Sequence, residues 1–390
     1  MNKNIKEIIF FANGDPRSAS TWSNVPACFV KELELRNIVV HTINLDTHPF
    51  VGAVYNLLFR RILKILLKPI GITPVWYFNS RIYNFLGYRK IKKAVTMYPS
   101  ADYCFFINYL FYNKFNGIPS LLLSDWPQTF DLNRDGHKDS LLYKRVYKQE
   151  KDAIEHAKHV ISIFKVRAME MCISYPCAKV SFLGGNVINN LSGEILNEKN
   201  ILEKKEKSNS ILFIGKPDRY LSSAKLLIEV YLEMKKKPSF AKLRLNIIGI
   251  TSKQLGNVPM GVQCYGFLHK DVESECQLYY NLLKEAKVIV NPTPHWAAYS
   301  AMIEAMYYYT PVVVSPYDAF VDEFGKDISF GVYNGNFSTV TVSTNIMALL
   351  KSSNYFQMCI EAHRVVKDYT WSVYVDKVLN LLKLSELDEI

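Results

Sequence analysis

The chain has 390 residues, 49% hydrophobic and 21% charged, which is typical of a globular protein of two domains. Its seven scattered cysteines match neither a disulfide framework nor a zinc site, and no run of about 18 uncharged apolar residues indicates a membrane-spanning helix. The net charge of +11 favours an anionic partner, such as a phosphate-bearing substrate or an anionic lipid; since no basic–aromatic RNA-binding motif is present, nucleic acid is not expected.

Short apolar runs alternate with longer amphipathic stretches through the first half of the chain. The runs predict strands at Ile8–Ala12, Ile38–Asn44, Tyr103–Ile107, Ser120–Ser124, His159–Ile163 and Lys179–Leu183, and the stretches predict helices at 19–36, 79–95 and 139–158. Apolar strands separated by helices indicate a parallel sheet covered on both faces. The N-terminus enters the first strand without the pattern of a signal peptide, so a cytoplasmic location is expected.

A polar, charged segment at 189–210 separates this half from a second alternation and is predicted to be an interdomain linker. Strands are then predicted at Ile211–Ile214, Leu243–Ile248, Val262–Tyr265, Val288–Val290 and Val312–Val314, with helices at 222–237, 272–285, 298–308, 317–324 and 371–383. The pattern predicts an α/β protein with two doubly wound parallel sheets. Ligands of such sheets bind outside the carboxyl ends of the strands, and with two units the expected site is the cleft between them.

Two positions in the first half carry candidate chemistry. Gly14 follows the first strand, where a residue without Cβ lets a ligand approach the backbone; a tight turn before a capped helix is the alternative. Asp125 stands at a predicted strand end in LLLSDWPQTF and is a candidate general base, with an Asx turn or a helix cap as the alternative.

The second half contains a basic loop and a carboxylate. Gly215 ends a strand and is followed by Lys216, Arg219 and Lys225, three cations suited to a diphosphate unless they are simply solvated. Glu304 lies on the predicted helix that follows Asn291 and a proline-bounded loop, where its carboxylate can accept hydrogen bonds from both hydroxyls of a ribose; a surface glutamate is the alternative.

A basic amphipathic stretch at 56–68 (NLLFRRILKILLK) has two interpretations. Arg60, Arg61, Lys64 and Lys68 face one way and apolar residues the other, a pattern typical of a helix on an anionic membrane surface. The same pattern is typical of a surface helix packed on its own domain.

Taken together, these segments resemble glycosyltransferases of the GT-B fold, specifically the family 4 type that acts in bacterial polysaccharide biosynthesis. The motifs that carry the resemblance occur in the family's order: FIGK at 213–216, NIIG at 246–249, YGFL at 265–268, NPTP at 291–294, IEAM at 303–306 and TPVVV at 310–314. The segments 14–26, 121–130 and 182–189 resemble acceptor-side motifs more loosely.

The resemblance implies two Rossmann-like domains facing a central cleft: an acceptor-side domain at 1–190 and a donor-binding domain at 208–370, with a C-terminal helix at 371–390 that can pack back on the first. It implies transfer of a hexosyl or deoxyhexosyl group from a nucleotide-diphosphate sugar to a glycan or lipid-linked saccharide of lipopolysaccharide or capsule. No cofactor or metal is expected, since the sequence contains no Asp-x-Asp pair. The protein is expected in the cytoplasm or peripherally on the inner face of the cytoplasmic membrane.

Residue by residue, Glu304 matches the second glutamate of the family's Glu-x7-Glu motif, which holds the donor ribose. Lys216 and Lys225, with Arg219 as a competitor, match the basic pair at the diphosphate, and Gly14 matches the glycine loop that faces the donor. The predicted donor-binding set is therefore Gly14, Gly215, Lys216, Arg219, Lys225, His295, Trp296, Tyr299, Ser300 and Glu304.

The chain departs from the motif at Trp296, which stands where the family has its first glutamate. Three interpretations remain open: a deoxy or less polar donor sugar that stacks on Trp296, a polar contact from His295 or Tyr299, or loss of catalysis. The last would make the chain an inactive nucleotide- or carbohydrate-binding partner of a synthesis complex. A nucleotide-sugar epimerase is a further alternative, while a dehydrogenase is disfavoured because no GxGxxG follows either first strand.

Overall fold

The computed structural model describes residues 5–18, 20–62, 77–134, 136, 138, 140–185, 187–188, 194–292 and 299–387. The chain divides into two compact units. The first comprises Met1–Gly185 and Tyr374–Ile390, and the second comprises Asn186–Val373.

The first unit is built on a six-stranded, wholly parallel sheet with the strand order β2-β1-β3-β4-β5-β6. Its centre is aromatic: the rings of Phe10 and Phe105 stack at 4.9 Å, and those of Phe11 and Phe106 at 4.5 Å. Such strands are buried on both faces because helices cover them. The strands are β1 (Glu7–Ala12), β2 (Val39–Asn44), β3 (Tyr103–Phe106), β4 (Ser120–Ser124), β5 (His159–Ser162) and β6 (Val180–Ser181).

Six α-helices accompany this sheet within residues 5–185 as described. They are α1 (Val25–Leu35), α2 (Pro49–Tyr55), α3 (Arg81–Met97), α4 (Gln128–Arg134), α5 (Leu141–His156) and α6 (Lys165–Ser174). In the basic stretch 56–68, Asn56–Ile62 forms a π-helix, and 63–68 lie outside the described residues. Within the described ranges, no helix is both long and apolar enough to cross a membrane.

The second unit repeats the design with the strand order β12-β11-β10-β7-β8-β9, again wholly parallel. Its strands are β7 (Ser210–Ile214), β8 (Arg244–Ile248), β9 (Val262–Gly266), β10 (Ala286–Asn291), β11 (Val312–Val314) and β12 (Gly331–Tyr333). Its helices are α7 (Glu198–Lys207), α8 (Pro217–Lys235), α9 (Ser252–Leu255), α10 (Glu273–Glu285), α11 (Ser300–Tyr307), α12 (Asp318–Phe324), α13 (Thr339–Lys351) and α14 (Tyr355–Val366).

The last helix, α15 (Trp371–Leu387), begins in the second unit, and its residues from Tyr374 onward belong to the first. Asp376 on this helix accepts a hydrogen bond from Nε of Arg36 at 2.8 Å. The chain therefore returns to its first unit, and a side-chain contact ties α15 to the end of α1.

Every strand predicted from the sequence is present, and the structure adds β12. This strand has three residues, one of them glycine, so its local propensity is weak. Its place is set by pairing with β11, where a Cβ on Gly331 would lie 2.2 Å from the carbonyl oxygen of Val312. Tertiary packing, rather than the local sequence, therefore specifies this strand.

The interpretation of 189–210 as a linker is wrong for 198–207, which form α7 of the second unit. Ile201 and Lys205 of this polar helix are buried. The ammonium group of Lys205 donates to the carbonyl oxygen of Ala286 at 2.7 Å and to Oγ1 of Thr310 at 2.7 Å. The segment has the composition of a solvated linker, yet its Lys205 connects α7 to the starts of β10 and β11.

The stability of the second unit is expected to rise with pH because of Lys205. Burial removes the ammonium from water and lowers the pKa of Lys205 to about 7. Above that pH the unfolded chain, with an ordinary lysine pKa of about 10.4, binds more protons than the folded chain, so folding is favoured as pH increases. We therefore expect the difference in free energy of unfolding between the wild type and Lys205→Met to shift in favour of the wild type by about 2 kcal/mol between pH 7 and pH 9.

Chemical denaturation at several pH values measures this difference. Lys204→Met, at an exposed position of the same helix, is the control and should keep the pH dependence of the wild type. Parallel profiles for the wild type and Lys205→Met would contradict the assignment.

Candidate functional site

The strand order of the second sheet reverses between β7 and β10, which are neighbours although β8 and β9 lie between them in sequence. Connections leave such a point in opposite directions, so a crevice opens outside the carboxyl ends of the two strands. Lys216 follows β7, and Glu304 lies on the helix that follows β10. The two candidates therefore belong to the same edge of the sheet, here called the carboxyl edge.

Glycines bring the backbone close together at this edge. Gly249 follows β8 with a φ of +94°, and a Cβ there would lie 2.4 Å from the carbonyl oxygen of Gly215. The N–H of Gly215 donates to the carbonyl of Ile248, and that of Gly249 to the carbonyl of Gly266 at 2.6 Å. The ends of β7, β8 and β9 are thus held together by contacts that no larger residue at 249 would allow.

Two of the three predicted diphosphate cations lie at the start of α8, and the third lies further along the helix. Lys216 precedes the helix, Arg219 lies in its first turn and Lys225 two turns further on. All three are exposed. The unpaired N–H groups and the dipole of a helix N-terminus favour anions, and the cations Lys216 and Arg219 add to that field.

Glu304 is buried, with 7% of its side chain exposed, so the alternative interpretation as a surface glutamate does not describe its setting. The hydroxyl of Tyr279 donates to Oε2 at 2.6 Å, and the ammonium of Lys270 contacts Oε1. That ammonium also lies 4.2 Å from the centre of the Tyr279 ring. Burial removes water from this carboxylate, and Lys270 and Tyr279 compensate for the loss with a counter-charge and a hydrogen bond.

The remaining donor candidates lie around the loop between β10 and α11. Tyr299 is buried, and its ring meets the rings of Phe320 and Phe324 edge-on at 5.7 and 5.8 Å, so it forms part of an aromatic cluster. Ser300 begins α11 and is exposed. His295 and Trp296 lie outside the described residues.

In the first sheet the order reverses between β1 and β3, and Gly14 follows β1 at that point. Its φ is +99°, its N–H donates to Oδ1 of Asn44 at 3.1 Å, and a Cβ would lie 2.7 Å from Oγ1 of Thr21. The position requires glycine for the turn itself, as the alternative interpretation proposed, and that requirement is compatible with a close ligand.

Polar side chains lie just after β1 and β2, beside Gly14. Asn13 donates to Oδ1 of Asp46 at 3.3 Å and accepts from Asn108 at 3.2 Å, and the buried Tyr83 hydroxyl donates to the same Asp46 oxygen at 3.0 Å. This network fixes the loop ends at the reversal point of the first sheet.

Asp125 follows β4 and is partly buried. Its Oδ1 accepts from the hydroxyl of Ser124 at 3.0 Å and from the N–H of Trp126 at 2.9 Å. Burial is the main cause that raises its pKa, and these two hydrogen bonds oppose the shift. Among the described residues both donors use Oδ1, which leaves Oδ2 unengaged by them; a carboxylate so held combines a local turn role with an oxygen available as a base.

A buried glutamate that sequence reasoning missed supports this segment. Glu150 on α5 accepts from the N–H groups of Gln128 at 2.5 Å and Thr129 at 3.1 Å, and it caps α4 from within the core. Burial raises the pKa of Glu150 to about 7. The cap fixes the start of the helix that follows Asp125.

Lys270 and Tyr279 were also missed, since they lie outside the loop and helix that carry the recognisable motif. A signal was present for Lys270, which closely follows the YGFL motif. No group of three His, Cys, Asp or Glu side chains arranged to hold a metal occurs in the part of the chain that the structure describes.

The sequence matches no protein-family model and no curated protein, so the comparisons concern solved structures. Sucrose-phosphate synthase from Thermosynechococcus elongatus superposes with a TM-score of 0.67 at 13% identity, over 97% of this chain and 98% of that one. WaaG, a glycosyltransferase involved in lipopolysaccharide biosynthesis, superposes with a TM-score of 0.64 at 13% identity, over 96% and 99%. MnaA of S. aureus, solved with UDP, gives a TM-score of 0.53 at 15% identity, over 99% and 98%.

These structures confirm the predicted fold class. The chain has the GT-B fold, with two Rossmann-like parallel sheets in succession, and the likeness covers nearly its whole length. Identities of 13–15% establish the fold alone, so the reaction has to be argued from the residues.

Proposed function

We propose that this protein is a glycosyltransferase that takes a hexosyl or deoxyhexosyl group from a nucleotide-diphosphate sugar and passes it to a glycan or lipid-linked saccharide in cell-surface polysaccharide biosynthesis. The observation that carries the proposal is the carboxyl edge of the second sheet. There the close glycine contact at Gly215 and Gly249, the cations at the start of α8 and the buried carboxylate of Glu304 follow neighbouring strands.

Each part of this edge suits one part of the donor. The diphosphate is negatively charged and attracts Lys216, Arg219 and Lys225. Further negative charge develops on the β-phosphate as its bond to the anomeric carbon of the sugar breaks. Prepositioned cations and N–H groups stabilise that growing charge, which is the main demand of the reaction. The carboxylate of Glu304 accepts hydrogen bonds from the ribose hydroxyls. No metal is needed in this scheme, because cations of the chain perform the neutralisation.

Two of the structural neighbours support the choice of substrates. WaaG is a glycosyltransferase of lipopolysaccharide biosynthesis, and MnaA binds UDP in its solved structure. The first is consistent with a saccharide acceptor, and the second with a nucleoside diphosphate as ligand.

On the acceptor side, Asp125 is the proposed general base. It takes the proton of the attacking hydroxyl as that oxygen forms its bond to the anomeric carbon. The raised pKa of its carboxyl makes Asp125 a stronger base than an exposed aspartate.

Glu304→Ala is expected to weaken binding of the nucleoside diphosphate at least about tenfold, because hydrogen bonds to a charged group contribute roughly 1.5–3 kcal/mol each. Thermal-shift titration with UDP, GDP, TDP and CMP identifies the base, and calorimetry with the best of them measures the affinity. Glu229→Ala, which removes an exposed carboxylate from α8, is the control. Equal affinities for the wild type and Glu304→Ala would refute the ribose role.

A donor panel separates transfer from an inactive binding role. Release of nucleoside diphosphate from one of the sugar donors in the presence of wild-type protein supports the transferase. Tight nucleotide binding without turnover of any donor would instead identify a catalytically inactive partner of a synthesis complex.

Asp125→Asn is expected to lower turnover by about 100-fold or more, since general acid–base catalysis typically contributes 100- to 10,000-fold. Nucleotide affinity should stay within about twofold, because Asp125 belongs to the first unit and has no proposed contact with the nucleotide. Steady-state kinetics and calorimetry measure the two quantities. Unchanged turnover in Asp125→Asn would leave its carboxylate with only the local turn role.

A peripheral contact with an anionic membrane is the second part of the proposal, and it would serve a lipid-linked acceptor. Apolar side chains of the first unit are exposed around α2 and α3. Beside them, a groove of about 950 Å³ has Val51, Leu86 and Met97 among its apolar lining and Arg89, Lys92 and Lys93 among its basic lining. The exposed apolar residues of this region are Phe50, Leu57, Leu58, Phe59, Ile62, Phe78, Ile82 and Phe85.

Charge reversal of the groove is expected to reduce binding to anionic vesicles. Each cation near such a surface contributes about 1 kcal/mol, so Arg89→Glu, Lys92→Glu and Lys93→Glu together should lower the partition coefficient roughly 100-fold. Co-sedimentation with phosphatidylglycerol vesicles measures this, and neutral phosphatidylcholine vesicles give the baseline. The matched control reverses Lys236, Lys237 and Lys242 in the second unit. Equal loss in both triple variants, or in neither, would exclude the groove as the membrane contact.

A further inference from the structure

We infer that Tyr279 and Lys270 are positioning residues that orient the carboxylate of Glu304 toward the donor ribose and thereby set the preference for ribonucleotides. The inference rests on the proposed donor site and goes beyond it by assigning two residues outside the recognisable motif. Neither is proposed to touch the transferred sugar.

The first observation is that each carboxylate oxygen of Glu304 has its own protein donor. Oε2 accepts from the Tyr279 hydroxyl at 2.6 Å, and Oε1 contacts the ammonium of Lys270. A glutamate side chain on its own rotates about its last bond with little resistance. One donor on each oxygen removes that freedom and fixes the plane of the carboxylate.

The two donors are themselves held in place. Tyr279 is buried on α10, and burial raises the pKa of its phenol well above the usual range, so the hydroxyl keeps the proton that it donates. The Lys270 side chain is 19% exposed, and its ammonium lies 4.2 Å from the ring centre of Tyr279 and 5.4 Å from that of Tyr280. These rings stabilise the cation by their electron-rich faces.

Lone-pair counting shows how such a carboxylate still binds a diol. Each oxygen of an ionised carboxylate has two acceptor sites, and Tyr279 and Lys270 use one on each oxygen. One site on each oxygen remains, which matches the two neighbouring hydroxyls of a ribose. A carboxylate that is already oriented loses less conformational freedom when the nucleotide binds, and this preorganisation increases affinity.

The three residues come from three separate elements of the second unit. Lys270 follows β9, Tyr279 lies on α10, and Glu304 lies on α11. The geometry of the carboxylate therefore depends on how α10 packs against α11, and the proposed route from Tyr279 or Lys270 to the ribose runs through Glu304.

The test compares nucleotides with and without ribose hydroxyls. Calorimetry gives the dissociation constants of UDP and GDP and of their 2′,3′-dideoxy analogues for the full-length protein. Wild type is expected to bind the better ribonucleotide at least about tenfold more tightly than its dideoxy analogue. Tyr279→Phe and Lys270→Met are each expected to lose most of that ratio, while their affinity for the dideoxy form stays within about twofold.

Two controls separate positioning from loss of packing. Tyr231→Phe also removes a buried hydroxyl, which donates to the carbonyl oxygens of Leu243 and Met260 at the opposite edge of the same sheet. Because this hydroxyl is far from Glu304 in the sheet, the variant should keep the wild-type ratio of ribonucleotide to dideoxynucleotide affinity. Lys270→Arg keeps a cation and should restore part of the ratio lost in Lys270→Met. Because Lys270 and Tyr279 are tested separately, the inference can still be refuted if one variant fails to fold.

The outcomes distinguish this inference from the proposed function. A wild-type ratio that falls in Glu304→Ala but persists in Tyr279→Phe and Lys270→Met would overturn the positioning roles and leave the donor site intact. An equal loss of ratio in Tyr231→Phe would also overturn them, because the effect would then be general. A wild type that binds neither nucleotide, or binds both forms equally, would overturn the ribose role of Glu304 and the inference together.

Discussion

A carboxylate buried in a protein must receive hydrogen bonds or a counter-charge, and Glu304 receives both, from Tyr279 and Lys270. This constraint links α10, α11 and the loop after β9 at the carboxyl edge of the second sheet. If both partners were absent, the carboxylate of Glu304 would be buried without compensation. The packing of these elements and the chemistry proposed for Glu304 therefore depend on the same contacts. A site of this kind combines stability with orientation, because the groups that make burial tolerable also fix the direction of the remaining lone pairs.

The same edge of the second sheet combines backbone and charge features that favour an anion. Adjacent strands end together there, and the glycines at 215 and 249 let their backbones approach more closely than side chains would permit. Cations at the start of α8 then add charge to the N-terminal field of the helix. In the first unit the comparable edge carries a glycine turn at Gly14 and the partly buried Asp125, for which we propose the role of general base.

Much of the fold follows from local patterns. Near-continuous apolar runs predict buried parallel strands, and the alternation with helices predicts two doubly wound sheets; both predictions are confirmed. Patterns fail where tertiary contacts override them. The polar segment at 189–210 indicates a linker, yet Lys205 is buried there because the carbonyl oxygen of Ala286 and the hydroxyl oxygen of Thr310 accept hydrogen bonds from its ammonium group. The strand β12 was not predicted, since three residues carry too little local signal without the pairing partner.

The sequence by itself determined the fold class and the residue types for which we propose diphosphate and ribose binding: glycines at strand ends, cations at a helix start and a carboxylate on a later helix. Those features are local or follow a fixed order along the chain, so they can be read without coordinates. Only the tertiary structure decided that Glu304 is buried and that Lys270 and Tyr279 hold its two oxygens. It also decided that Glu150 caps the helix after Asp125. Such pairings join residues far apart in sequence, and no periodicity encodes which buried donor will meet which buried acceptor until the helices pack.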